Sequence, residues 1–180
     1  EALGIKVYSV DMESGRIPVA GFWRLVKLLR KLKPDIIQGW MYHGNLAAQL
    51  AAFFLHENAP VLWNVRHSLY SLDYEKRGTA AVIKMGKYIS KYPEYVIYNS
   101  KIGADQHEAI GYCKDKRIVI PNGFDAGLFS PSADARIRFC SELKLHENTF
   151  LIGLVGRYHP MKDHATFLQA AAILIKAHPD

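Results

Sequence analysis

Residues 32–55 read LKPDIIQGWMYHGNLAAQLAAFFL. The Lys33-Pro34 pair closes a helix whose Leu25, Leu28, Leu29 and Leu32 recur at helical spacing, because proline lacks the next backbone donor. A short apolar strand follows over residues 35–38, then a polar edge through Asn45, then a helix over 45–55 that is apolar nearly all round. A strand buried enough to need such a helix belongs to a parallel sheet. The same alternation recurs along the chain, with strands expected at 5–10, 61–65, 95–98, 117–120 and 150–155. Helices are expected at 18–33, 79–91, 102–110 and 133–143, and a last one follows Asp163, its N-cap. The fold class is therefore α/β: a Rossmann-like parallel sheet flanked by helices.

Composition narrows the function. A chain of 180 residues, 49% hydrophobic and 22% charged, has ample apolar surface for a core and is not a disordered or low-complexity segment. No apolar run reaches the length of a membrane span, and no basic-then-apolar leader follows Glu1. Cys113 and Cys140 have neither metal-ligand nor disulfide-framework spacing, so no metal is expected and a reducing cytoplasm fits best. The net charge of +6 points to anionic partners: nucleic acid, anionic lipid or phosphorylated small molecules. Arg24, Lys27, Arg30, Lys31 and Lys33 would suit peripheral contact with an anionic membrane, or simply the solvated side of a sheet-packing helix.

Three segments carry chemistry. In LIGLVGRYHPMKDH, residues 151–164, a buried strand is expected to end at Gly156, a loop to bring Arg157 and Lys162 together, and a helix to begin. Two cations and free backbone N–H groups then converge where a diphosphate would sit. The glycine spacing matches neither the dinucleotide fingerprint nor the P-loop, and an ordinary loop with solvated charges would read alike. In residues 63–68, a strand runs out into Arg66 and His67 at its carboxyl end, where open α/β sheets place ligands. His67 there either hydrogen-bonds a ligand without titrating or simply ends the strand on a backbone partner. His43 and Asn45, at the end of the preceding strand, either contact a ligand or cap the following helix.

Val155-Gly156-Arg157 with a lysine five positions on, Ile120-Pro121-Asn122-Gly123-Phe124-Asp125, and Phe129-x-Pro131 together resemble the family 4 glycosyltransferases of GT-B fold. Residues 32–38 and Tyr98-Asn99-Ser100 resemble the same family's strand ends. The resemblance implies two facing Rossmann-like domains: residues 1–130 on the acceptor side, a linker region at 131–148, and the start of the nucleotide-sugar domain at 149–180. It implies that Gly156, Arg157 and Lys162 bind the donor diphosphate, that His67 is catalytic, and that His43, Asn45, Arg66, Asn99 and Gly123 line the cleft. Where the family's pattern has histidines this chain has Gln38 and Trp40. The implied activity is retaining transfer of a sugar from a nucleotide diphosphate donor to a hydroxyl on a glycan or lipid-linked acceptor of the cell envelope. No cofactor, metal or nucleic acid is expected; no Asp-x-Asp occurs. Set against the family, the chain starts after the first strand with its glycine-rich loop and stops before the glutamate-bearing loop, so these residues alone are expected to be inactive. A sugar-nucleotide epimerase, or a non-catalytic basic module binding anionic lipid or phosphate, is the alternative.

Overall fold

A computed structural model describes residues 4–11, 19–55 and 59–178, apart from the Met161 side chain. The chain forms two compact units, Glu1–Gly123 and Phe124–Asp180. In the first, α1 (Val19–Leu32) leads into β1 (Ile37–Trp40), α2 (Met41–Ala52), β2 (Val61–Val65), α3 (Arg77–Ile89), β3 (Tyr95–Tyr98), α4 (Lys101–Ala109) and β4 (Arg117–Val119). Pro18, the expected first residue of α1, lies outside the described residues.

The four strands pair in chain order, all parallel, as the sequence indicated. The crossovers between successive neighbours return α2, α3 and α4 to one face of the sheet, as connections of a single hand require. That face is the core: Ile37, Val61, Trp63, Val65, Val96 and Tyr98 of the strands pack with Tyr42 and Ala48 of α2, Ile83 of α3 and Ala104 of α4. Tyr112 joins them because position 86 is glycine; a Cβ there would fall 2.2 Å from the Tyr112 hydroxyl.

Two expectations fail for want of partners. Residues 5–10 form no strand, and Ile5, Val7 and Tyr8 are exposed, because among the described residues no neighbouring strand supplies a ladder. Arg24 instead holds this segment, donating to the carbonyls of Val10 and Asp11 at 3.0 and 3.1 Å. Residues 150–155 likewise form no strand, and Phe150 and Val155 are exposed. β1 also sits two residues later than expected, because its ladder begins only where the Ile37 amide donates to Pro60 O at 3.0 Å. The second unit contains α5 (Ala135–Glu142) and α6 (His164–Ala177); Arg136 ties α5 to the following segment through the carbonyls of Glu147 and Thr149.

α2 starts four residues earlier than the apolar pattern suggests, since β1 passes into it with no loop. Met41 makes the turn with φ of 60°, a left-handed conformation that costs a non-glycine residue about 1–2 kcal/mol. The close approach needs Gly39: a Cβ there would lie 2.6 Å from Asn45 Cα. Asn45 completes the junction, its amide donating to Asn64 O at 3.2 Å and accepting from Asn64 N at 3.1 Å. Gly39→Ala should therefore lower stability by about 1–3 kcal/mol through overpacking. Gly44→Ala, in the same helix with nothing within 4 Å of the new methyl group, should raise it by roughly 0.5–1 kcal/mol. Urea unfolding of the two variants checks both signs.

Candidate active site

The Met41 turn aims Tyr42, the second residue of α2, into the space between β2 and α4. There its hydroxyl lies 3.1 Å from His67 Nδ1 and 2.9 Å from His107 Nε2. His107 Nδ1 lies 2.6 Å from the carbonyl oxygen of Gly103, one turn back in α4. A carbonyl only accepts, so Nδ1 of His107 carries the proton and its Nε2 accepts from the Tyr42 hydroxyl. The Tyr42 oxygen then accepts from Nδ1–H of His67. The chain of bonds thus runs one way, from His67 through Tyr42 and His107 to Gly103.

Burial holds this direction in place. His107 is fully buried, ringed by Tyr42, Tyr98 and Tyr112 at centroid separations of 5.7, 5.5 and 5.1 Å. Desolvation pushes its imidazole below the ordinary histidine range, and nearby His67 adds to that, against the Gly103 bond. Burial likewise pushes the Tyr42 and Tyr98 hydroxyls well above the usual tyrosine range, so they stay protonated.

His67 is half-buried, two residues beyond β2, with Nε2 3.7 Å from a Glu75 carboxylate oxygen, beyond hydrogen-bond length. Parallel register brings the ends of the other strands to the same edge, pairing Trp40 with Asn64, Val65 with Tyr98 and Tyr98 with Val119. Asn99 and Ser100 follow β3, and Ser100 Oγ caps α4 by accepting from Gly103 N at 3.0 Å. Arg66 stands over the Trp40 ring at 5.3 Å and donates to the Asn122 side chain, so strand ends β1 and β2 meet the Pro121-Asn122-Gly123 turn. Gly123 is exposed and Asn99 half-buried. His43 is half-buried in the first turn of α2. Asn45, expected to contact an acceptor or cap the helix, does neither: it is 1% exposed and its amide is spent on the Asn64 backbone.

In the second unit, Arg157 and Lys162 are exposed and flank a tight turn over Pro160–Lys162. The Lys162 stem packs over Gly156, whose Cβ position is 3.5 Å from Lys162 Cγ. His164 Nε2 holds the Arg157 carbonyl at 2.9 Å. Asp163, at φ of 47°, caps α6 as expected by accepting from Thr166 N at 3.3 Å. The backbone donors of Lys162, Asp163 and Thr166 are thus engaged within the turn and the cap, so the exposed groups here that would attract an anion are the Arg157 and Lys162 side chains. Among the described residues, no three His, Cys, Asp or Glu side chains could share a metal ion, and no helix is long and apolar enough to cross a membrane.

The sequence model of Glycosyltransferase Family 4 matches residues 3–128. The chain belongs to that family. Among solved structures, it is similar to Anabaena HepE in complex with UDP and glucose, with a TM-score of 0.67 at 20% identity over 84% of this chain and 39% of HepE. The HepE complex with UDP-glucose superposes with a TM-score of 0.66 at 20% identity, over 85% of this chain and 40% of that one. The chain thus spans about two-fifths of the length of the structures it matches, and at this identity what they share is the fold, an α/β parallel sheet like that of a GT-B glycosyltransferase. No curated protein matches the chain.

The sequence singled out His67 in this family 4 domain but gave no notice of Tyr42, which bonds to it, or of His107, which bonds to Tyr42. Tyr42 stands beside the flagged His43, and His107 shares the buried face of α4 with Ala104 and Gly103. A histidine three residues from a buried alanine on a short helix was the available signal. Its neutrality has a measurable consequence. Below about pH 6.5, histidine in the unfolded chain takes up a proton that buried His107 does not. Unfolding then binds protons, so stability falls with decreasing pH, by up to about 1.4 kcal/mol per pH unit from this group. Melting temperatures at pH 7 and pH 5 should show this loss, and His107→Gln should flatten the dependence.

Proposed function

We propose that this chain is part of an enzyme that transfers a sugar from a nucleotide diphosphate donor to a hydroxyl acceptor, with retention at the anomeric carbon and without a metal. The observation that carries the reading is the match to Glycosyltransferase Family 4 over residues 3–128. The HepE structures, solved with UDP, glucose and UDP-glucose, support a nucleotide-sugar donor. Retention rests on the likeness of the Arg157–Lys162 motif to the family's. A glycan or lipid-linked acceptor of the cell envelope suits the same likeness, and the exposed basic side of α1 suits peripheral contact with an anionic membrane on the cytoplasmic side.

In this reading the two units divide the work. Breaking a sugar–phosphate bond leaves negative charge on the diphosphate, and fixed cations stabilise it as it grows. Arg157 offers a planar fork and Lys162 a point charge, and together they do what a divalent ion does elsewhere. Gly156 lets the backbone come close to the phosphates. His67, at the carboxyl edge of the sheet, orients the sugar hydroxyls, and Arg66, Asn99, Gly123 and His43 border the same edge.

Because these charges matter most in the transition state, their loss should appear in kcat rather than in KM. In the complete enzyme, with UDP-glucose as the first donor tried, Arg157→Ala or Lys162→Ala should lower kcat by about 10²–10³. Arg157→Lys should recover only part of the loss. Surface charges with no role would change stability by no more than about 0.5 kcal/mol and leave kcat near normal, which would defeat the proposal. Donor turnover that needs no acceptor would instead mark an epimerase.

A further inference from the structure

Three side chains from three separate segments meet inside the first unit in one line of hydrogen bonds: His67 after β2, Tyr42 from α2 and His107 from α4. The line ends on a backbone carbonyl that cannot turn round, at 2.6 Å from His107. Every bond upstream inherits its direction from that end. His107 gives its only proton to Gly103, Tyr42 gives its only proton to His107, and the remaining Tyr42 lone pair has no use except to accept from His67.

We propose that Tyr42 and His107 are positioning residues for His67, keeping a proton permanently on its Nδ1 so that Nε2 alone exchanges protons and meets the substrate hydroxyl. The proposal rests on the reading above of His67, at the carboxyl edge of the sheet, as the group that orients the sugar hydroxyls. The neutral tautomer with its proton on Nε2 is excluded, since it would set two lone pairs, those of Nδ1 and Tyr42, against each other at 3.1 Å. Both remaining states of His67 satisfy the line. Neutral, its Nε2 accepts from a sugar hydroxyl; charged, its Nε2 donates, with Glu75 nearby at 3.7 Å to offset the charge. A phosphate oxygen, which only accepts, is a poor partner for the neutral form. The titratable groups facing the imidazole are Tyr42, His107 by way of Tyr42, and Glu75.

The same architecture fixes the ring's place. Gly103 lets α4 crowd the His67 backbone, since a Cβ there would lie 3.3 Å from His67 O. The Tyr42 ring stands edge-on to the His67 ring, at an interplanar angle of 88°.

The test is nitrogen NMR of the complete chain with labelled histidines, read without substrate. In an imidazole, the protonated nitrogen resonates far upfield of the bare one. The expected spectrum of the unaltered protein at neutral pH shows protonated Nδ1 on both His67 and His107. A bare Nδ1 on His67 overturns the proposal, whatever the variants do. Tyr42→Phe removes one oxygen and should let His67 populate the Nε2–H tautomer, while an unchanged His67 signal overturns the proposal. His107→Gln keeps an acceptor where Nε2 stood and should preserve the His67 signal. Because no turnover enters the readout, the predicted spectrum in a protein that transfers no sugar would defeat the proposed function while sustaining this wiring, and the reverse result would do the opposite.

Discussion

The direction of the four strands governs where everything else in the first unit can lie. Parallel pairing in chain order sends every strand's carboxyl end to one edge, and each returning crossover must start there. Tyr42, His67, Asn99, Ser100 and Asn122 all come from the first few residues beyond a strand, so one constraint gathers them. The β1–α2 junction shows what tightness this demands: Met41 takes a left-handed conformation, Gly39 yields space to Asn45, and the Asn45 amide is spent pinning the helix to β2. Antiparallel pairing would scatter the same residues over two edges.

Polar groups inside this core are stabilising only as a complete set. The Tyr42 hydroxyl and the His107 ring are buried, and leaving either without its partner would cost about 1–3 kcal/mol. Satisfied throughout, the line from His67 to Gly103 carries an orientation from the core to a half-exposed ring at the sheet edge. The second unit supplies a different kind of group: exposed cations on a turn shaped by Gly156, Asp163 and the His164 contact to Arg157. One set is buried and directional, the other solvated and electrostatic.

The sequence carried most of the first unit because its signals are local. Val61–Val65 and Tyr95–Tyr98 form over the expected residues, being short runs dominated by apolar, β-branched and aromatic residues, and Asp163 caps α6 by its own side chain. The segments at 5–10 and 150–155 have strand-like composition but no partner strand among the described residues, and a ladder is a relation between segments that no single run encodes. Asn45 misled for a related reason, since an asparagine at a strand–helix junction looks alike whether it caps, binds a ligand or bridges to a neighbouring backbone. His67 was legible from its place at a strand end, whereas Tyr42 and His107, 65 residues apart, meet only in three dimensions.

The central claim is that a core-anchored tyrosine acts on catalysis through His67 and not independently of it. A double-mutant cycle on kcat with Tyr42→Phe and His67→Ala in the complete enzyme tests this most directly. The account predicts that Tyr42→Phe slows the enzyme when His67 is present and has little further effect once His67 is alanine. Losses that add to within about 0.3–0.5 kcal/mol, the range seen for independent sites, would contradict it.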